Sequence, residues 1–338
     1  MIRSAILGAS GYVGGELLRL LTRHPGIEAA RLFGDSKAGQ KLGAVHPHIG
    51  GRAAALEVKK FSLKALDNID LVFAALPHGE SQKWAEAILA TGAKLIDLGA
   101  DFRLHDPEVY ATWYGEAHEA PHLLDRFVYG IPELHREAIR GAQAVAAAGC
   151  YPTATILALK PLVDAGLVDP KSLIVDAASG VSGAGRAVKE GTAFNSVDGS
   201  FAAYGLLNHR HTAEMEQALG ATVLFTPHLA PMTRGILATC YGTATRDMAP
   251  GEPLEALRAA YADEPFVRVS DDPPATKWVS GSNGAVVTAR YDARTGRVVA
   301  LGAIDNLGKG AAGQMVQCAN LMFGLDEAAG LSAEGVFP

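Results

Sequence analysis

The sequence predicts an α/β chain of two domains, a doubly wound parallel sheet at the N-terminus and a second, α+β domain carrying a mixed or antiparallel sheet. Three observations carry this. Short apolar β runs alternate with amphipathic helices up to about residue 149, a glycine-spaced turn of Rossmann type follows the first run, and the rhythm becomes β-rich after residue 150. With 338 residues, 49% hydrophobic and 20% charged, the chain has apolar surface enough for two cores. Its formal net charge of -6, with Lys and Arg scattered, excludes the basic footprint of a nucleic-acid binder.

The first run, AILG at 5–8, leads into a helix with Val13, Leu17, Leu20 and Leu21 on one face, stopped at His24-Pro25-Gly26. Further runs at 28–33, 70–76, 94–98 and 143–148 are separated by helical patterns such as SQKWAEAILAT at 81–91. After Cys150 come β runs at 172–178, 222–229, 236–243, 285–291 and 297–304, the last two joined by DARTG as a hairpin. A final helical pattern at 311–324 is expected to return to the first domain, giving boundaries of 1–149 plus 313–338 for a nucleotide-binding domain and 150–312 for a catalytic and oligomerisation domain. MIRSAILGAS enters a strand with no h-region, and no apolar run reaches the roughly 18 residues of a membrane span. Cys150, Cys240 and Cys318 form no C-x-x-C pair, so a cytoplasmic protein without disulfides is expected.

In ILGASGYVGGELL, Gly8, Gly11 and Gly14 stand between strand and helix, where a tight turn lets a pyrophosphate lie against N-H groups at a helix start. A dinucleotide site is expected there, with no metal. After the second run, Asp35 suits the ribose hydroxyls of NAD, whereas Ser36 and Lys37 suit a 2'-phosphate; the paired hydroxyl and positive charge favour NADP.

Cys150 sits where a buried run, broken by Gly149, hands over to a helix marked by Pro152. An ordinary thiol of pKa about 8.5 is only about 3% thiolate at neutral pH, and a majority requires about 2.7 kcal/mol. A helix start supplies about 0.3 to 1 kcal/mol, so a protonated imidazole must add the rest. The best-placed histidines are His209 and His211 in NHRHTAEMEQAL, ahead of a helix whose N-cap is expected at Thr212 and whose first acids are Glu214 and Glu216. Spacing does not choose between them. The H-x-H pairs 46/48 and 209/211 have no third ligand at recognisable spacing. Cysteine, histidine and a nicotinamide in one chain suggest hydride transfer to or from a thiol-bound acyl group, with Arg103 and Arg186 on loops for anionic substrate groups.

GASGYVGGELLRLL, LPHG, DLGADFRL, AGCYPTA, SGVSGAGR, NHRHTAEMEQ, FTPHLAPMTRGI and DNLGKGAAGQMVQ run in order along nearly the whole chain, and together they resemble the N-acetyl-gamma-glutamyl-phosphate reductase family of arginine biosynthesis. The resemblance implies NADPH-dependent reduction of a small acyl phosphate to a semialdehyde through a thioester on Cys150, with His209 or His211 as acid and base. It implies a cofactor set of Gly8, Ser10, Gly11, Tyr12, Val13, Gly14, Ser36, Lys37, Pro77, His78, Ser182, Gly183 and Asn306, and a homo-oligomer, dimeric or tetrameric; charge and hydropathy point to no nucleic-acid or membrane partner. A sister family that reduces carrier-bound aminoadipyl phosphate in lysine biosynthesis shares the cysteine and histidine motifs, but Arg186 fits a free substrate bearing its own carboxylate. A Cys-His thiol hydrolase or a redox-sensing nucleotide binder would leave the glycine turn or the basic loops without a use.

Overall fold

The computed structural model describes residues 1–337. The described residues divide into two compact units, one of residues 1–148 and 311–331, the other of 149–310 and 332–337. That last segment was expected in the first domain. It lies in the second because the N-H of Asn283 donates to Ser332 O and that of Val336 to Ser280 O.

The first unit is built on seven parallel strands: β1 (Ile2–Leu7), β2 (Ile27–Phe33), β3 (Val58–Lys59), β4 (Leu71–Ala74), β5 (Lys94–Asp97), β6 (Phe127–Gly130) and β7 (Ala144–Ala147). Their order is β3-β2-β1-β4-β5-β7-β6. Connecting helices are α1 (Tyr12–Leu21), α2 (Leu42–Val45), α3 (Ala85–Ala90), α4 (Pro107–Tyr114) and α5 (Pro132–Gly141). Burial on both faces explains why the strands read as continuous apolar runs. Ile6, Leu71, Phe73, Val145 and Ala147 join one core cluster, whereas their neighbours Ala5, Leu7, Val72, Ala74, Ala144 and Ala146 join the other. Each fully buried large apolar side chain contributes about 1.5 to 3 kcal/mol, so a register slip of one residue would forfeit both cores.

The second unit opens with α6 (Cys150–Asp164) and holds β8 (Leu173–Gly180), α7 (Phe194–Val197), β9 (Ala202–Ala203), α8 (His211–Leu219), β10 (Val223–Ala230), β11 (Ile236–Thr243), α9 (Glu252–Ala260), β12 (Val267–Val269), β13 (Ala285–Asp292) and β14 (Arg297–Ile304). Its sheet order is β12-β13-β14-β11-β8-β10-β9. The sheet is mixed: β8 and β10 are parallel, whereas β11, β13 and β14 pair antiparallel. The β13-β14 hairpin turns through Gly296 at φ 63, a left-handed position suited to glycine. Helix α6 packs on β11, β13 and β14, so alternate residues such as Val175, Cys240 and Ala300 are buried. So close is the fit that a Cβ on Gly302 would stand 2.3 Å from Ala154 O. The chain then returns to the first unit with α10 (Gly313–Met322), whose Met315, Val316, Ala319 and Met322 complete the core cluster of α1 and α5.

Candidate active site

In the first unit the sheet order reverses between β1 and β4, and chain segments converge at the carboxyl ends of those strands. Gly8 has φ 81, and a Cβ there would lie 2.1 Å from Ala75 O. A Cβ on Gly14 would lie 2.4 Å from Gly8 O and 2.6 Å from Ala9 Cα, so the turn admits only glycine at both places. Gly11 caps α1 without a side-chain hydrogen bond, and no acidic residue stands in the first turn. The first-turn N-H groups, those of Tyr12, Val13 and Gly14, therefore face an end without a competing carboxylate, which suits a pyrophosphate. Ser10 lies against the end of β2, where a Cβ on Gly34 would be 2.9 Å from its Oγ. Ser36 is exposed and Lys37 half-buried in the turn that follows. These residues fit a dinucleotide carrying a 2'-phosphate.

The segment after β4 is tied down by carboxylates. Asp101, fully buried, accepts from the N-H groups of Gly79 at 2.8 Å and Gln82 at 3.1 Å. Pro77 is exposed; the His78 ring tilts against Tyr114 at 4.4 Å, with Nε2 3.1 Å from Glu116 Oε1. Asp97 Oδ1 accepts from Ser81 Oγ at 2.5 Å and from Gly99 N-H at 3.0 Å, and burial pushes its carboxyl up to about 7. Arg103 is 5% exposed and donates from Nε to Ala147 O at 2.9 Å and from Nη2 to Leu98 O at 2.7 Å. Its guanidinium braces the carboxyl ends of β5 and β7, taking up the carbonyl of the last residue of β7 and of the first residue past β5.

In the second unit Cys150 is the first residue of α6 and half-buried, unlike Cys240 and Cys318, which are buried. Burial pushes the Cys240 thiol well up. Room for Cys150 depends on Gly310, whose Cβ would stand 2.8 Å from that of Cys150. Gly310 belongs to a π-helical turn (Gly308–Ala312) and its N-H donates to Asp305 O. Single π-turns of this kind recur at functional sites.

Tyr151, next in sequence, carries the site to the histidines. Its ring meets His209 edge-on at 5.6 Å, His211 at 5.9 Å and Phe225 at 5.3 Å, and its hydroxyl donates to His228 O. Helix α8 begins at His211 rather than after Thr212; Arg210 is its N-cap, and Thr212 is a buried first-turn residue whose N-H donates to His209 O. Leu207, at φ 62, turns the chain into this cluster in a left-handed conformation that costs a branched residue about 1 to 2 kcal/mol. His209 Nδ1 accepts from the His211 N-H at 3.2 Å, which leaves the ring proton on Nε2. Burial, with Arg210 adjacent, lowers the His209 pKa to about 4.

Glu214 went unnoticed in the sequence beyond its place as a first-turn acid. It is 1% exposed and its Oε1 accepts from Gly149 N-H at 2.6 Å, at the start of α6. The signal was its spacing: three residues after His211 on a helix puts both on one face. Ser182 and Asn306 also meet: Asn306 Nδ2 donates to Ser182 Oγ at 2.9 Å while its Oδ1 accepts from Gly235 N-H at 2.7 Å. Gly183 and Arg186 follow on the exposed part of that loop. The structure thus gathers Cys150, His209, His211 and Glu214 in one unit, and the glycine turn with residues 34–37 and 75–78 in the other.

The chain matches two family models, one described as semialdehyde dehydrogenase, NAD binding domain, over residues 3–142, the other as semialdehyde dehydrogenase, dimerisation domain, over residues 150–306. Aspartate semialdehyde dehydrogenase II from Vibrio cholerae, complexed with ASA, shares the fold at a TM-score of 0.72 and 19% identity, covering 96% of this chain and 98% of that one. The Candida albicans enzyme with NADP gives 0.71 at 15%, with the same coverage. Identity is far higher to the N-acetyl-gamma-glutamyl-phosphate reductases of Desulforudis audaxviator, at 49%, and Geobacillus stearothermophilus, at 46%, each covering 100% of both chains. On that full-length likeness, the chain belongs to the N-acetyl-gamma-glutamyl-phosphate reductase family.

Proposed function

We infer that this protein is an NADP-dependent reductase of arginine biosynthesis that converts N-acetyl-L-glutamyl 5-phosphate to N-acetyl-L-glutamate 5-semialdehyde and phosphate. The observation that carries the mechanism is Cys150 at the first position of α6, half-buried, with its neighbour Tyr151 touching both imidazoles. His211 takes the thiol proton, and the Glu214 carboxylate one turn along favours the imidazolium so formed. His209, held neutral, orients the start of α8 through its Nδ1. The sulfur attacks the acyl carbon, and the bond to phosphate breaks with its electron pair leaving on phosphate. Gly8, Ser10, Gly11, Tyr12, Val13 and Gly14 would hold NADPH at the glycine turn, with Ser36 and Lys37 on its 2'-phosphate, and when bound it would supply a hydride. His211 then gives its proton to the developing oxyanion and takes it back as the C-S bond breaks and the carbonyl re-forms. Pro77 and His78 would line the nucleotide edge, and Ser182, Gly183 and Asn306 are further candidate cofactor residues. Arg186 meets the carboxylate of the substrate.

The reverse reaction tests this reading. Phosphate-dependent reduction of NADP by N-acetyl-L-glutamate semialdehyde is expected, with NAD a poorer acceptor and carrier-bound aminoadipyl semialdehyde inert. Absence of any phosphate requirement would reject the acyl-phosphate chemistry.

We also propose that copies associate through the sheet face opposite α6. Along one row across four strands, Leu224, Ile174, Tyr241 and Val299 stand in register, with Leu224 51% exposed and the others half-buried. Apolar rows of this kind mark interaction faces, and the second unit is the one matched by the dimerisation-domain model. Sedimentation of Ile174→Glu should show a monomer where the wild type shows a dimer or larger. None of the three cysteines is in a disulfide, and no helix among the described residues is long and apolar enough to cross a membrane. A cytoplasmic location completes the proposal.

A further inference from the structure

We propose that His46 is a positioning residue for the nucleotide turn, holding the Ala9-Ser10 peptide from beneath and setting how α1 leaves it; the proposal rests on the cofactor reading above. His46 follows α2, is 4% exposed, and places Nε2 2.9 Å from Ala9 O. A carbonyl oxygen only accepts, so Nε2 carries the proton and the ring donates. Ala9 N-H in turn donates to Phe33 O at 2.8 Å, so both peptide groups of Ala9 are fixed. The second of these peptides bears the Ser10 N-H, and a donor on its carbonyl polarises that N-H toward an anion.

The same ring explains a glycine that the turn itself does not require. Gly14 is forced by the turn backbone, but a Cβ on Gly15 would meet His46 Cε1 at 2.6 Å and Nδ1 at 2.8 Å. Glycine at 15 therefore makes the space that lets an imidazole reach the turn. A leucine could fill that space as well; only a donor also satisfies Ala9 O. The H-x-H spacing with His48 is not a metal pair: His48 is exposed, the two rings meet edge-on at 5.7 Å, and His46 Nε2 is spent on Ala9 O.

Two variants separate the hydrogen bond from the packing. His46→Phe keeps a ring against Gly15 and removes the donor, whereas His46→Gln restores an N-H donor on a flexible stem. Calorimetric titration with NADPH is expected to show Kd raised about tenfold in His46→Phe, equal to about 1.4 kcal/mol, and largely recovered in His46→Gln. KM for NADPH should follow Kd, with kcat at saturating NADPH within about twofold of wild type. If His46→Phe does not fold, His46→Met takes its place as the variant without a donor. Wild-type Kd in the folded donorless variant, even with a lowered melting temperature, overturns the proposal and leaves the cofactor site intact. Failure of the wild type itself to bind NADPH would instead overturn the reading on which the proposal stands.

Discussion

Turnover in Cys150→Ala is expected to fall by about 10⁴-fold or more, because removal of a covalent nucleophile leaves only binding and orientation to act. The fall should come without loss of fold. Cys150 is half-buried, and an alanine Cβ already fits beside Gly310. NADPH affinity and melting temperature should therefore match wild type. No other thiol can take over, since Cys240 and Cys318 lie inside the strand and helix cores. Alkylation by iodoacetamide followed by peptide mass mapping should mark Cys150 first, at a rate that tracks loss of activity. Residual turnover in Cys150→Ala above about a hundredth of wild type would remove the thioester from the mechanism.

His211→Asn is expected to lower kcat by about 10² to 10⁴-fold, the range for loss of a general acid and base. His209→Asn should cost less, about tenfold, because its ring is neutral and serves through Nδ1, which an asparagine oxygen can imitate. Stopped-flow measurement of the phosphate-release and hydride steps in both variants decides the order; the reverse ranking would exchange their roles. A second readout separates them by pH. An unfolded histidine titrates near 6.5, whereas His209 in the fold titrates near 4. Between those values the unfolded chain binds the extra proton, so His209 lowers stability as pH falls from about 6.5 to 4 and adds no dependence above that window. Melting curves of His209→Asn should lack this component.

Much of the first unit was legible because local chemistry and tertiary demand agree there. Gly8 and Gly14 are required by backbone that lies within six residues of each other or just across β1-β4; of the apolar face expected on α1, Leu17 and Leu21 are buried, Val13 and Leu20 are half-buried, and Leu18, outside that expectation, is buried as well. Helix α4 was equally encoded, though passed over: Asp106 accepts from the N-H groups of Glu108 and Val109, Pro107 is at the first position, and Gly115 ends it at φ 77. Strand β9 was not encoded at all. Its two alanines are exposed and gain strand form from pairing with His228 and Leu229. The site shows the same division. A cysteine between glycine and a helix-starting proline announces itself, but Glu214 acts on Gly149, 65 positions away, and Asn306 on Ser182, 124 away. Contacts over such separations are decided by packing, which local patterning does not encode.

The placement of α10 has a consequence for how the polypeptide is made. Residues 315–322 fill a hydrophobic face whose other half, from Leu17 to Val45, is synthesised some 270 residues earlier. At ribosomal rates of about 5 to 20 residues per second, that face stays open for on the order of ten seconds to a minute. The nascent N-terminal body must be kept from aggregating during that interval.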